Sequence, residues 1–487
     1  MTGIGRKTDT WGSRFGFIMA AVGSSVGLGN FWRFPYTAGE NGGGAFILIY
    51  LVCVVVLGLP VLMAEYGMGR KSGMSAIEGV HSLARAESKS SNWGVLGWIG
   101  SLAAFFILTF YMVISAWVIE FIPQAFSGVF SGFADEAARL TAEAQALDPN
   151  AAVVTVADVS GDNFEKSTEN RGRILFWLAS FIVLNTFIVA RGVKGGIERV
   201  ATILMPVFFV LLIGLVIYAM KVGDVGKTVS FLLTPDFSEV GFGTILAAVG
   251  QAFFSIGVGS CLMITYGAYM SSDMNIPRSS VIVAGADTMV AIIAGFAIFP
   301  IVFAFGADAA AGPGLFFISL PLAFGSMPFG AMVGGAFFTL ALFAAFTSSI
   351  SLMEVGVSWL EERQGVTRPG AAMGVGFVLF MIGAGYVYSG DYIGFTDFIT
   401  GNIMLPLGGL LVAVFAGWVL SRGMMTTEFG EGTIMNLWRF AVRWVVPPAL
   451  AFILVFGALD VAQDNGWIDL PDGVLTGLLG PNKVAAP

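Results

Sequence analysis

Long apolar runs decide what this chain can be. Stretches of about 20 residues recur along the 487-residue sequence, each long enough as a helix to cross roughly 30 Å of hydrocarbon. Only 11% of residues are charged and 56% are hydrophobic, where an ordinary soluble chain carries about 25% charged residues. A β-barrel would show short alternating segments instead. The pattern predicts an all-α polytopic membrane protein with about 11 transmembrane helices. They are expected near 12–38, 42–69, 93–126, 172–190, 197–220, 242–270, 278–305, 329–360, 371–387, 394–420 and 437–459.

The connecting loops sort by charge. Arg6, Lys7, Arg70, Lys71, Arg85, Lys89, Arg191, Lys194, Arg199, Arg278, Arg363, Arg368, Arg422, Arg439 and Arg443 fall on one side, and only Lys221 and Lys227 occupy the short loops opposite. Positive residues remain in the cytoplasm, so the N-terminus is expected inside and, with an odd number of spans, the C-terminus outside. The opening MTGIGRKTDTW lacks the apolar core and cleavage site of a signal peptide, so the first span is expected to insert and stay. The long segment 127–171 then lies outside. It reads as a solvated loop, with a short helix near 134–147 as the alternative. The tail 460–487 holds only GVLTGLLG as an apolar piece, too short for a twelfth span.

Composition also excludes functions. The lone His81 sits in a polar loop, so neither a zinc cluster nor a Ser/His/Asp set is arguable, and the chain is not expected to be an enzyme. Cys53 and Cys261 lie within apolar spans and read as buried thiols. A net charge of −8 does not suggest nucleic acid.

Two spans are interrupted. GSSVGLGN, Gly23 to Asn30, puts three glycines, two serines and an asparagine in the middle of the first span, and SIGVGS, Ser255 to Ser260, does the same in the sixth. Each break alone is equally consistent with close helix packing through small residues. A matched pair five spans apart points to a transport site near the bilayer midplane. Unwound backbone frees carbonyls that suit a hard cation and amides at a half-helix N-terminus that suit a carboxylate. A small zwitterion beside a cation fits both, and Asn30 adds a neutral oxygen. Two further polar sets stand in apolar spans. Asp287 in the seventh reads as a functional acid, or else as a structural hydrogen-bonded one. Thr347, Ser348 and Ser349 in the eighth either face an ion or bond back to their own helix.

These residues fall into a known order. GSSVGLGNFWRFPY, ENGGGAFILIY, GLPVLMAEYGMGR, KGGIERV, LTPDF, AAVGQAFFSIGVG, ITYGAY and FTSSIS resemble the neurotransmitter:sodium symporter family, especially its bacterial amino-acid branch, from Trp11 to about the tenth span. The resemblance implies a single transporter domain over 1–487. Within it a 5+5 inverted repeat is implied, with 12–220 and 242–420 as its halves, helices 1 and 6 broken and helix 11 at 437–459 added. It implies a sodium-coupled symporter working by alternating access, and two Na⁺ sites. The first uses Ser25, Asn30, Ser255 and Asp287, and the second uses Gly23, Val26, Ala344, Thr347 and Ser348. The substrate carboxylate is implied at Leu28, Gly29 and Tyr111. Its side chain is implied among Ile107, Phe254, Gly257, Ser260 and Leu352. Arg33 and Asp397 resemble an outer gate, and Glu361 or Glu362 with Arg6 or Lys7 an inner one.

Three departures from the family pattern refine this. Monoamine members carry an aspartate where Gly27 stands, so the substrate here is expected to bring its own carboxylate, as an amino acid does. Chloride-dependent members place a hydroxyl where Ala291 stands. Tyr50, Gln251 and Ser255 remain, while Asp287 replaces a neutral residue, so a fixed carboxylate stands in for chloride and takes up a proton when sodium leaves. Gly257 and Ser260 are small, which favours large hydrophobic or aromatic amino acids. The expected setting is the plasma (inner) membrane of a prokaryote. A sodium-dependent amino-acid sensor or a channel-like protein of the same fold is the alternative.

Overall fold

A computed structural model describes residues 9–464 apart from 308, 310 and 311. Nine helices among the described residues are long and apolar enough to cross a membrane unbroken: Gly44–Ser72, Ser91–Phe126, Arg171–Val189, Val193–Val222, Ile276–Ala304, Gly330–Gln364, Arg368–Tyr388, Tyr392–Val419 and Thr433–Leu459. The first span is a bent pair, Arg14–Ser25 and Gly29–Glu40, turning by 46° at the break. The sixth is also in two pieces, Phe242–Ile256 and Leu262–Ala268, each too short to cross alone. Together these make eleven spans with the first and sixth broken.

Local signals set the ends. Ser13 caps the first span by accepting from the Gly16 N–H, and Asn275 caps the seventh by accepting from Arg278. Left-handed Gly73 (φ 62°) closes the second. The break in span six needs three positive φ values, at Gly257 (79°), Gly259 (83°) and Cys261 (58°). Glycine takes such a conformation without a Cβ penalty and cysteine does not.

Small residues let the broken spans lie against their neighbours. A Cβ on Gly69 would stand 2.0 Å from the Ile264 carbonyl, and one on Gly408 2.1 Å from that of Gly259. Spans two and ten therefore touch the backbone of span six directly, a packing that larger side chains forbid. The outward faces carry exposed apolar residues such as Val183, Val210 and Phe377, as a lipid-facing surface requires.

The segment 127–171 is not a solvated loop. It forms two helices, Phe133–Leu147 and Val156–Glu169, the second opened by a capping box between Thr155 and Asp158. Phe130, Phe133 and Val159 are buried. Phe164 stacks on Phe317 at 5.3 Å with Trp117 edge-on to both, and the Ser160 hydroxyl donates to the Ile318 carbonyl at 2.7 Å. Ala, Glu and Leu favour the helix, but aromatic contact with the helix Leu315–Ser326, distant in sequence, holds it down. The tail beyond 464, and with it GVLTGLLG, lies outside the described residues.

Candidate functional site

Both breaks arrive at one buried point. At the first, the Gly27 N–H donates to Asn30 Oδ1 at 2.9 Å and the Leu28 N–H to the Tyr111 hydroxyl at 2.9 Å. The Tyr111 hydroxyl keeps its own proton to give. Gly29, opening the outer half-helix, passes its carbonyl to the Gln251 amide at 2.9 Å. At the second break, the Ser25 hydroxyl crosses to the Ile256 carbonyl at 3.1 Å, while also bonding back to Ala21. The backbones remain close because Gly27 and Gly29 carry no side chain. A Cβ on Gly27 would lie 2.5 Å from Ser348 Oγ and 2.6 Å from the Tyr111 hydroxyl, and one on Gly29 3.1 Å from the Phe254 ring.

A small cavity of about 30 Å³ lies here, lined by Ser25, Gly27, Gly29, Ile107, Tyr111, Phe254, Gly257, Ser260, Ser348 and Leu352. Leu28 does not line it; its side chain is buried and only its amide reaches the site. Ser24, Leu262 and Leu405 line it too, and the sequence reading missed them. Ser24 was legible as a second serine of the break, whereas Leu262 and Leu405 look like any span leucine. The Ser260 hydroxyl turns to its own Gly257 carbonyl at 2.6 Å.

Asp287 is fully buried, and its described hydrogen-bond partners are neutral. Ser255 donates to both carboxylate oxygens at 2.8–2.9 Å, and Asn30 Nδ2 donates at 2.8 Å. These are three of the four residues expected at the first cation site, with Ser25 joining through the Ile256 carbonyl. Asn30, however, presents its N–H₂ to Asp287, its oxygen accepting from Gly27. The Asn30 oxygen, with two lone pairs, keeps one for a cation while it accepts from Gly27. The Tyr50 hydroxyl stands near, within hydrogen-bond reach of Ser255 and Thr288, Gln251 Oε1 is buried, and Ala291 is fully buried.

The second expected cation site also assembles. Ser348 Oγ lies 3.3 Å from the Gly23 carbonyl and 3.4 Å from that of Val26, and Thr347 Oγ1 sits 3.1 Å from the Ala344 carbonyl. Every candidate ligand is an oxygen; Val26 stands in the unwound stretch, Gly23 in the last turn of the first half-helix and Ala344 within the eighth span, a donor set that suits Na⁺. Ser349 is not part of it. Its hydroxyl donates to Asn185 of the fourth span at 2.7 Å, a structural bond.

Polar pairs flank the cavity. Arg33 stands 3.9 Å from Asp397 and lies over the Phe254 ring at 4.6 Å. On the other side the Trp11 indole donates to the Tyr266 carbonyl at 3.1 Å, joining the start of span one to the end of span six. Buried Glu354 there accepts from Tyr269 and pairs with Arg368. The expected inner gate is described on its acidic side only. Glu361 pairs with Arg368 at 3.2 Å and Glu362 accepts from the Ser75 amide at 2.6 Å, while Arg6 and Lys7 lie outside the described residues. The signal for Glu354 was present in the sequence, as a carboxylate within an apolar span. Glu65 is another such acid; it accepts from the Gly259 amide at 2.6 Å and holds the second break.

Known proteins share this architecture. The family described as "Sodium:neurotransmitter symporter family" matches residues 8–466. An uncharacterized sodium-dependent transporter of Bacillus subtilis, YhdH, is 34% identical over 93% of this chain and 97% of its own length. One from Haemophilus influenzae is 32% identical over 93% and 99%. The crystal structure of MhsT in complex with L-phenylalanine superposes with a TM-score of 0.82 at 38% identity, covering 92% of this chain and 99% of that one. A multi-pass membrane chain with this match over nearly its whole length is a member of the sodium:neurotransmitter symporter family, in its bacterial branch, and is a sodium-dependent transporter of small molecules rather than an enzyme.

Proposed function

We propose that the protein is a symporter that imports hydrophobic or aromatic amino acids with two sodium ions, without chloride. The observation that carries this reading is the cavity at the two breaks, with amide donors and the Tyr111 hydroxyl at one edge, oxygen clusters at two others and no fixed charge at Gly27. The substrate carboxylate meets the Leu28 and Gly29 amides and the Tyr111 proton, at the positive end of the outer half-helix. Gly257 and Ser260 are the small positions of the lining, and the L-phenylalanine complex of the relative MhsT supports the aromatic class.

Asp287 supplies the negative charge that balances the first cation. With only neutral partners in a dry site, the bare carboxylate is poorly solvated once the cation leaves. It takes a proton and carries it outward on the return step. The halves 12–220 and 242–420 move about the breaks, with Arg33–Asp397 closing the outside and Glu354–Arg368–Tyr269 the inside. The N-terminus is cytoplasmic, the C-terminus outside, and the membrane is the plasma membrane of a prokaryote. Each Na⁺ entering down 100 mV yields about 2.3 kcal/mol, and a tenfold gradient adds about 1.4 kcal/mol. Two ions supply about 7 kcal/mol, enough for accumulation on the order of 10⁵-fold.

The test is uptake of a labelled amino-acid panel into proteoliposomes in chloride-free buffer, with an inward Na⁺ gradient against choline. Sodium-driven accumulation of aromatic substrates is expected. Uptake that requires added chloride would remove the role given to Asp287, and sodium-dependent binding without flux would identify a sensor instead.

A further inference from the structure

A second cavity lies at the N-terminal end of the bundle, far in sequence from the residues just described. It is an open crevice of about 280 Å³ between the start of the first span and the start of the seventh. Arg14 and Arg278 face it from opposite walls, with Phe15, Ile18 and Ile282 between them. Phe15 is 59% exposed and Ile282 40%, so the apolar wall continues onto the outer surface of the bundle, where lipid lies.

Neither arginine is neutralised by an acid among the described residues. On the same side of the bundle, Arg70 is paired with Glu428, Arg363 with Glu78 and Arg368 with Glu354. Arg14 and Arg278 have no ion-pair or hydrogen-bond partner for their guanidinium groups among the described residues. The acid that feels Arg14 is Asp273, outside the spans. It is held below the ordinary carboxylate range first by the hydrogen bond from Ser271, at 2.5 Å, and then by the charges of Arg14 and Arg70. It makes no ion pair with Arg14. Asn275 occupies the floor, its side chain capping span seven.

Two planar forks across a crevice, with an apolar wall running out to the hydrocarbon, match one kind of molecule. A phosphodiester accepts paired N–H bonds from guanidinium groups, and an acyl chain covers the apolar wall. Basic pockets between helices on the cytoplasmic side suit anionic headgroups. We propose that this crevice seats an anionic phospholipid, its phosphate between Arg14 and Arg278 and one chain along Phe15, Ile18 and Ile282. Such a lipid joins the inner half of the first span to the seventh, and this inference stands independently of the substrate reading.

The test uses the full chain in nanodiscs containing a photoreactive phosphatidylglycerol. Crosslinks are expected on peptides covering 14–18 and 274–282. Unlabelled phosphatidylglycerol should displace them about 25-fold better than phosphatidylcholine, since each of the two basic residues at an anionic surface contributes roughly fivefold. The double variant Arg14→Gln/Arg278→Gln should lose them by roughly tenfold or more, with an unchanged Tm and elution volume, and Arg199→Gln, an exposed arginine outside the crevice, should not. Equal displacement by phosphatidylcholine would overturn the proposal, leaving only a greasy groove. Displacement by millimolar inorganic phosphate would overturn it in favour of a soluble anion. The competition in the unaltered protein decides the matter even if the variants fold poorly.

Discussion

At the scale of single residues, the site is governed by what is missing as much as by what is present. Gly27 leaves no room for a methyl group between Ser348 and Tyr111. Gly27→Ala is therefore expected to weaken amino-acid binding by about 100-fold or more, from overpacking of about 3 kcal/mol at the point of carboxylate contact. Equilibrium binding in saturating Na⁺ checks this. Asp287→Asn removes the fixed charge. Transport by that variant should become chloride-dependent and lose its response to internal pH; uptake that stays chloride-independent and pH-sensitive would contradict the role assigned to Asp287. Thr347→Ala should raise the Na⁺ concentration for half-maximal uptake by about fivefold while leaving the ranking of substrates unchanged, because Thr347 is proposed to serve the second ion position alone. Much of this set was readable in the sequence. Polar residues within hydrocarbon are costly enough to stand out, and Gly23–Asn30, Ser255 and Asp287 do. Leu262 and Leu405 did not, because an apolar residue in an apolar span carries no mark of which way it faces. Asn30 was legible as a polar group, but not which of its two amide atoms meets Asp287.

At the scale of elements, the breaks were visible and the packing around them was not. Hydropathy finds spans because backbone hydrogen bonding in lipid leaves only the helix. It finds an interruption because glycines and serines depress the same signal. It does not say that Gly69 and Gly408 press on the second break. Gly69→Ala should lower the apparent Tm of the detergent-solubilised protein by several degrees, an overpacking cost of about 1–3 kcal/mol. The same substitution at Gly285, which meets nothing within 4 Å, should leave Tm unchanged. The helix Phe133–Leu147 was legible as the alternative near 134–147, whereas Val156–Glu169 and the burial of both mark the limit of local reading. Their apolar contacts are aromatic pairs made across long sequence separations, such as Phe164 with Phe317, so charge and polarity along the segment resemble those of a loop.

At the scale of the whole molecule, two closures share one cavity, and removing one should favour the state in which it is open. Arg33→Gln loosens the outer side and Arg368→Gln the inner side. Single-cysteine labelling should rise along the outer approach in the first variant and along the inner approach in the second. Labelling that rises on the same side in both would contradict the division of roles. The broken first span makes these closures mechanically dependent on the site itself. Its inner half, Arg14–Ser25, is a rigid arm about 18 Å long, pivoted at the residues that face the second cation position and pinned at its far end by Trp11. A tilt of about 10° at the pivot carries the far end about 3 Å, the length of one hydrogen bond. On the proposed reading, a displacement at the ion too small to open anything there would, through leverage, unfasten the door at the other end.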